Sequence, residues 1–76
     1  MNTIAEQRKK IGLTQHQLAQ SCRWGKSRLA NYEVGIRTPS LNDCRVIISA
    51  LNQHGADCLL DDVFPPNETI SVISKK

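Results

Sequence analysis

At 76 residues the chain is long enough for one small domain with a marginal core, so association with a partner is a natural source of added stability. No apolar run approaches the roughly 20 residues that cross a bilayer, and the start Met1-Asn2-Thr3-Ile4 lacks the apolar stretch of a secretory leader, which points to the cytoplasm. Cys22, Cys44 and Cys58 form neither a CxxC pair nor a cluster with His16 and His54, so no metal site is expected and reduced, partly buried thiols are.

The net charge of +3 is unevenly placed. Residues 1–45 hold eight Lys and Arg against three acids, a balance of +5, whereas residues 46–76 hold two against four, a balance of −2. A polyanion would therefore dock on the first half.

The first helix is predicted from Thr3 to Ile11, with Ile4 and Ile11 on one face and Gly12 in the left-handed conformation that ends it. Arg8 falls on the same apolar face. A guanidinium there needs an acceptor from elsewhere in the fold.

Thr14 followed by Gln17 forms a capping box for a second helix, whose inward face carries Leu18, Ala19 and Cys22. Arg23-Trp24-Gly25 makes a turn. A third helix runs from Lys26 to Val34 with Leu29 and Tyr32 inward, and Gly35 closes it.

Pro39 breaks the chain, and Ser40 with Asp43 repeats the pattern of a cap followed by an acid. In the fourth helix, from Leu41 to about Leu51, the apolar residues Leu41, Cys44, Ile47, Ile48 and Leu51 recur at helical spacing and are expected to close the core. Gln53-His54-Gly55 reads as a helix end and loop, and Leu60 to Phe64 as one or two turns stopped by Pro65-Pro66. Thr69 to Ser74 alternates polar and β-branched residues, as a short strand pairing across a dimer or an unstructured tail would, and the pattern favours neither.

The run Thr14-Gln15-His16-Gln17-Leu18-Ala19, then Leu29, Tyr32-Glu33, Gly35, Arg37 and Pro39-Ser40-Leu41 suits two short helices crossing near a right angle. It closely resembles the helix-turn-helix of the lambda repressor and Cro superfamily, the Xre type, over roughly residues 2–52 and weakly over 60–64. The resemblance implies an all-α domain of four to five short helices in residues 1–64, followed by a tail or dimerisation strand in residues 65–76.

The resemblance also assigns roles. Lys26, Ser27, Arg28 and Asn31 match the positions that touch base edges, and their chemistry suits it: Lys and Arg donate to guanine, Asn pairs with adenine, and Ser does either. Gln15 stands where a phosphate meets the start of the second helix, with Arg23, Arg37, Lys9 and Lys10 as further backbone contacts. Glu33 is the implied acceptor for Arg8, forming a partly buried ion pair between the first and third helices.

Two positions depart from the family pattern. Arg23 replaces a glycine in a turn that often needs positive φ, which implies either a strain of about 1 kcal/mol or a slightly altered turn that would tilt the third helix. Gly25 replaces the usual Ser or Thr cap. Trp24 stands where the family has a Val-like residue and is expected in the core.

No Ser/His/Asp set, phosphate loop or catalytically spaced carboxylate pair is present, so neither an enzyme nor a cofactor or small-molecule substrate is expected. The reading is a transcriptional regulator, a Cro-type repressor that binds a palindromic DNA operator as a homodimer in a bacterial or phage-infected cell. Val63, Phe64, Ile70, Val72 and Ile73, left over after the fourth helix, are the expected dimer surface. The alternatives are an antitoxin or restriction-modification controller that binds DNA and a protein partner, and a protein-interaction module that no longer reads DNA.

Overall fold

In the computed structural model, residues 2–65 are described and form five helices: α1 (Ile4–Lys10), α2 (Gln15–Cys22), α3 (Lys26–Val34), α4 (Leu41–Gln53) and α5 (Leu60–Val63). The architecture is all-α, as expected. The region expected to supply a strand, with Ile70, Val72 and Ile73, lies outside the described residues. Among the described residues no helix is long and apolar enough to cross a membrane.

Each helix boundary has a local cause. Gly12 takes φ +75° just beyond α1. Thr14 accepts from the Gln17 amide at 3.1 Å while the Gln17 side chain accepts from the Thr14 amide at 2.8 Å, so both halves of the expected capping box are made. Ser40 accepts from the Asp43 amide at 3.1 Å to start α4, and Gly35 ends α3 at φ +86°.

The core gathers Ile4, Leu18, Ala19, Cys22, Leu29, Tyr32, Ile47, Ala50, Leu51, Cys58 and Val63, one contribution or more from every helix. Two expectations are corrected here. Leu41, expected in the core, is 56% exposed because it sits in the first turn of α4, outside the packed cluster. Val63, expected on the dimer surface, is fully buried: the chain after α4 folds back and inserts it under α1. His54, exposed at the end of α4, shares a 2.6 Å hydrogen bond with Ser21 that ties this end to α2.

The return of the chain is held by polar contacts. The Asn52 side chain donates to the Cys58 carbonyl and accepts from the Cys58 amide, both at 3.0 Å, closing the loop after α4. The Thr3 amide donates to the Val63 carbonyl at 2.9 Å, and the Thr3 hydroxyl donates to the Asp62 carbonyl at 2.8 Å. These bonds hold α5 against the start of α1.

Candidate nucleic-acid interface

The presentation of α3 begins at the end of α2. Arg23 adopts φ 63° and ψ 38°, the left-handed conformation, and its amide donates to the Gln20 carbonyl at 3.0 Å while the Trp24 amide donates to the Ala19 carbonyl at 2.9 Å. This pair of bonds is the Schellman closure usually built around glycine. The departure at Arg23 thus leaves the turn intact, and the backbone bears the strain.

Gly25 then caps α3 with extended backbone, φ −73° and ψ 157°, and without a side-chain bond. The first amides of α3 stay open at that end.

A second set of bonds fixes the tilt of α3. Arg8 donates from Nε to Glu33 Oε2 at 2.8 Å and from Nη2 to Glu33 Oε1 at 3.1 Å, and its Nη1 donates to the Leu13 carbonyl at 3.0 Å. The expected pair is therefore bidentate and also grips the loop before α2. Gln15 Nε2 donates to the same Glu33 Oε1 at 3.0 Å. The Gln15 side chain is thus committed to joining α2 to α3, and a phosphate at this end would meet the open amides of α2 instead. Asn2 adds a tie that sequence reasoning missed, donating to the Tyr32 carbonyl at 2.8 Å.

On this scaffold the four expected base readers lie together. Lys26, Ser27 and Arg28 occupy the exposed first turn of α3, and Asn31, half-buried, follows at i+3 and i+4 from Arg28 and Ser27 on the same face. Arg37 is exposed in the loop beyond, and its amide donates to the Asn31 carbonyl at 3.2 Å, which ties that loop to the reading helix. Arg23 is exposed in the turn. Lys9 and Lys10 are exposed at the end of α1 and share no hydrogen bond with α3 among the described residues.

Arg28 is not a free side chain. Its Nη2 donates to Asp43 Oδ2 at 2.7 Å, and its guanidinium carbon lies 4.3 Å from the Trp24 ring centroid. Tyr32, buried, donates its hydroxyl to the same Asp43 oxygen at 2.7 Å and meets Trp24 edge-on at 5.6 Å and 80°. Hydrogen bonds from Arg28 and then Tyr32 hold the Asp43 carboxyl below the usual carboxylate range. Trp24 is half-buried, packed on the core through one side and covered by Arg28 on another.

Sequence reasoning treated Asp43 only as part of a cap. The available signal was Arg28 and Tyr32 four residues apart on one helix face, with Asp43 the one acid of the basic half not already assigned to another arginine or to the first helix.

The three cysteines are buried and unoxidised. Burial pushes the Cys22 thiol from 9.0 up to about 11, with Arg28 opposing the shift and Asp43 adding to it.

Residues 4–56 match the Helix-turn-helix family model. No curated protein and no solved structure matches the chain. The matched span covers more than half of the chain and runs from the start of α1 past the end of α4, enclosing the Thr14 cap, the Arg23 turn and the exposed face of α3. The chain belongs to the Xre/lambda repressor-like helix-turn-helix family, a family of DNA-binding regulators.

Proposed function

We propose that this protein is a transcriptional repressor of the Cro type, which binds a palindromic operator as a homodimer and blocks the site where polymerase must bind. The observation that carries the reading is the set of exposed Lys26, Ser27 and Arg28 with half-buried Asn31 on one face of a helix tied to its neighbours through Arg8, Gln15 and Glu33. A rigid helix that exposes donors suited to guanine and adenine edges is what direct readout in a major groove requires. Gln15, through the start of α2, with Arg23, Arg37, Lys9 and Lys10, supplies the phosphate layer.

One helix-turn-helix covers one half-site. Two copies related by a twofold axis would set their α3 helices about 34 Å apart, matching successive major grooves on one side of the duplex. With Val63 committed to the core, Phe64, half-buried, and the apolar Ile70, Val72 and Ile73 are the C-terminal candidates for the contact. Val34, Ile36 and Leu41, exposed by 64, 75 and 56% around the loop between α3 and α4, support a second reading in which this loop pairs the two copies.

The test is selection of a site from a randomised oligonucleotide pool by the full chain, followed by sedimentation of the protein with and without that site. A palindromic site bound by two copies supports the proposal; a non-repeated site bound by one copy refutes the dimer. Truncation after Pro65 distinguishes the two surfaces, because it keeps Cys58 and Val63 in the core while removing Ile70, Val72 and Ile73. Pairing lost on truncation assigns the tail, and pairing lost in Ile36→Ser assigns the loop.

A further inference from the structure

Arginines that read bases are long, flexible side chains, and ordering one on binding costs rotamer entropy. In this protein the ordering is already done. Tyr32 is buried and directs its hydroxyl at Asp43 Oδ2; that oxygen receives Nη2 of Arg28 at 2.7 Å; and the guanidinium lies over Trp24 at 4.3 Å. Two direct contacts, to Trp24 in the turn and to Asp43 in α4, thus bear on one exposed side chain, and Tyr32 in α3 holds the Asp43 carboxylate in place.

The arrangement leaves Arg28 usable. A guanidinium has five N–H donors, and among the described residues the only hydrogen bond of Arg28 is the one from Nη2 to Asp43. The side chain keeps 45% of its surface exposed, against 14% for Asp43, so the arginine projects outward from a carboxylate that is itself set back. Two further donors on one edge remain available to the O6 and N7 atoms of a guanine.

We infer that Asp43 is a positioning residue for DNA recognition, holding Arg28 on the Trp24 platform so that its free edge selects a guanine at one fixed base pair of each half-site. The inference rests on the proposed reading of α3 as the base-contacting helix. Its chemistry has a second consequence. A carboxylate beside the guanidinium weakens its attraction to phosphate, so Asp43 biases Arg28 toward a base edge and away from sequence-independent contact with the DNA backbone.

The test compares the full chain with Arg28→Ala, Asp43→Ala, Asp43→Asn and Tyr32→Phe by base preference at every position of the selected site. Salt is held constant, and thermal melts confirm folding. Arg28→Ala should remove a guanine preference of about tenfold or more at one base pair. Asp43→Ala should weaken the preference at that same base pair by roughly two- to tenfold, the range expected for ordering one long side chain, and leave the other positions unchanged. Binding to random DNA should stay level or tighten, because one negative charge is gone. Asp43→Asn, which keeps a neutral acceptor for Arg28 and Tyr32 and should therefore disturb the fold less than Asp43→Ala, should restore part of the preference, and Tyr32→Phe should lose part of it.

If Asp43→Ala and Asp43→Asn keep the full guanine preference while Arg28→Ala removes it, Asp43 does not position Arg28, and the reading of α3 stands. If Arg28→Ala changes no base preference, Arg28 is not a reader, and both the inference and that part of the proposed function fall. A loss at all positions alike in Asp43→Asn would make Asp43 merely structural and would also overturn the inference.

Discussion

Arg8 in α1 and Glu33 in α3 are joined by two parallel hydrogen bonds, of 2.8 and 3.1 Å, with only 11 and 4% of their side chains exposed. Because Arg8 also holds the Leu13 carbonyl and Glu33 also holds Gln15, one ion pair links α1, α2 and α3. A pair this enclosed contributes more to alignment than to net stability, since desolvation offsets much of its attraction. Removing one partner is a different matter. Glu33→Ala is predicted to destabilise folding by about 3 kcal/mol, because Arg8 and Gln15 lose their common acceptor. That corresponds to a fall in Tm of more than about 10 °C for a domain of this size, and an unchanged melting curve would rule the mechanism out.

Asn31 tests the reading face independently of Arg28. Its side chain lies on the same face as Ser27 and Arg28, and its carbonyl is already used by Arg37. Asn31→Ala is expected to cost about 1 to 3 kcal/mol on the selected operator and much less on random DNA, measured by titration at one salt concentration. Equal losses on the two DNAs would mean that Asn31 reads no base.

Gly25 is a place where the protein can be improved. Its φ of −73° suits any residue, and a Cβ built there meets nothing within 4 Å, while the first turn of α3 lacks a side-chain cap. Gly25→Ser should therefore add a cap and restrict the unfolded chain, together worth about 0.5 kcal/mol. The expected rise in Tm is about 2 to 4 °C. A fall would show that the turn requires the freedom of glycine.

The Cys22 thiol gives a signed pH dependence. Its value rises from 9.0 to about 11 on folding, chiefly through burial, so between those limits the unfolded chain ionises while the folded chain keeps its proton. The unfolded state then binds fewer protons, and stability falls as pH rises through that window, having been complete below it. Denaturant titrations across the window should show a shallower decline in Cys22→Ala than in the parent chain; identical slopes would count against the shift. Consistent with burial, alkylation of Cys22 in the native protein near neutral pH should be slow and become fast on unfolding.

Local order in this protein was legible from the sequence alone. The Thr14-x-x-Gln17 box, the Ser40 cap, the glycines at 12 and 35 and the extent of α3 depend on contacts within a few residues, and each appears where it was expected. The need of Arg8 for a partner was also legible, because a charge on an apolar stripe is a local contradiction. Its resolution in Glu33 came from family resemblance, since no local rule links residues 25 apart.

The tertiary structure decided the rest. Val63 could not be assigned from its four-residue helix, because burial was settled by the Asn52 clamp on Cys58 and the Thr3 bonds to α5, hydrogen bonds to backbone groups that leave no periodicity in the sequence. Leu41 continued a sound helical stripe and is nonetheless exposed, because periodicity defines a face of a helix but not how far the neighbouring helices extend along it. The role of Asp43 emerged in the same way. Its position in the sequence accounts for a cap, and only the approach of α3 to the start of α4 brings Arg28 and Tyr32 to its carboxylate, with Trp24 under the Arg28 guanidinium.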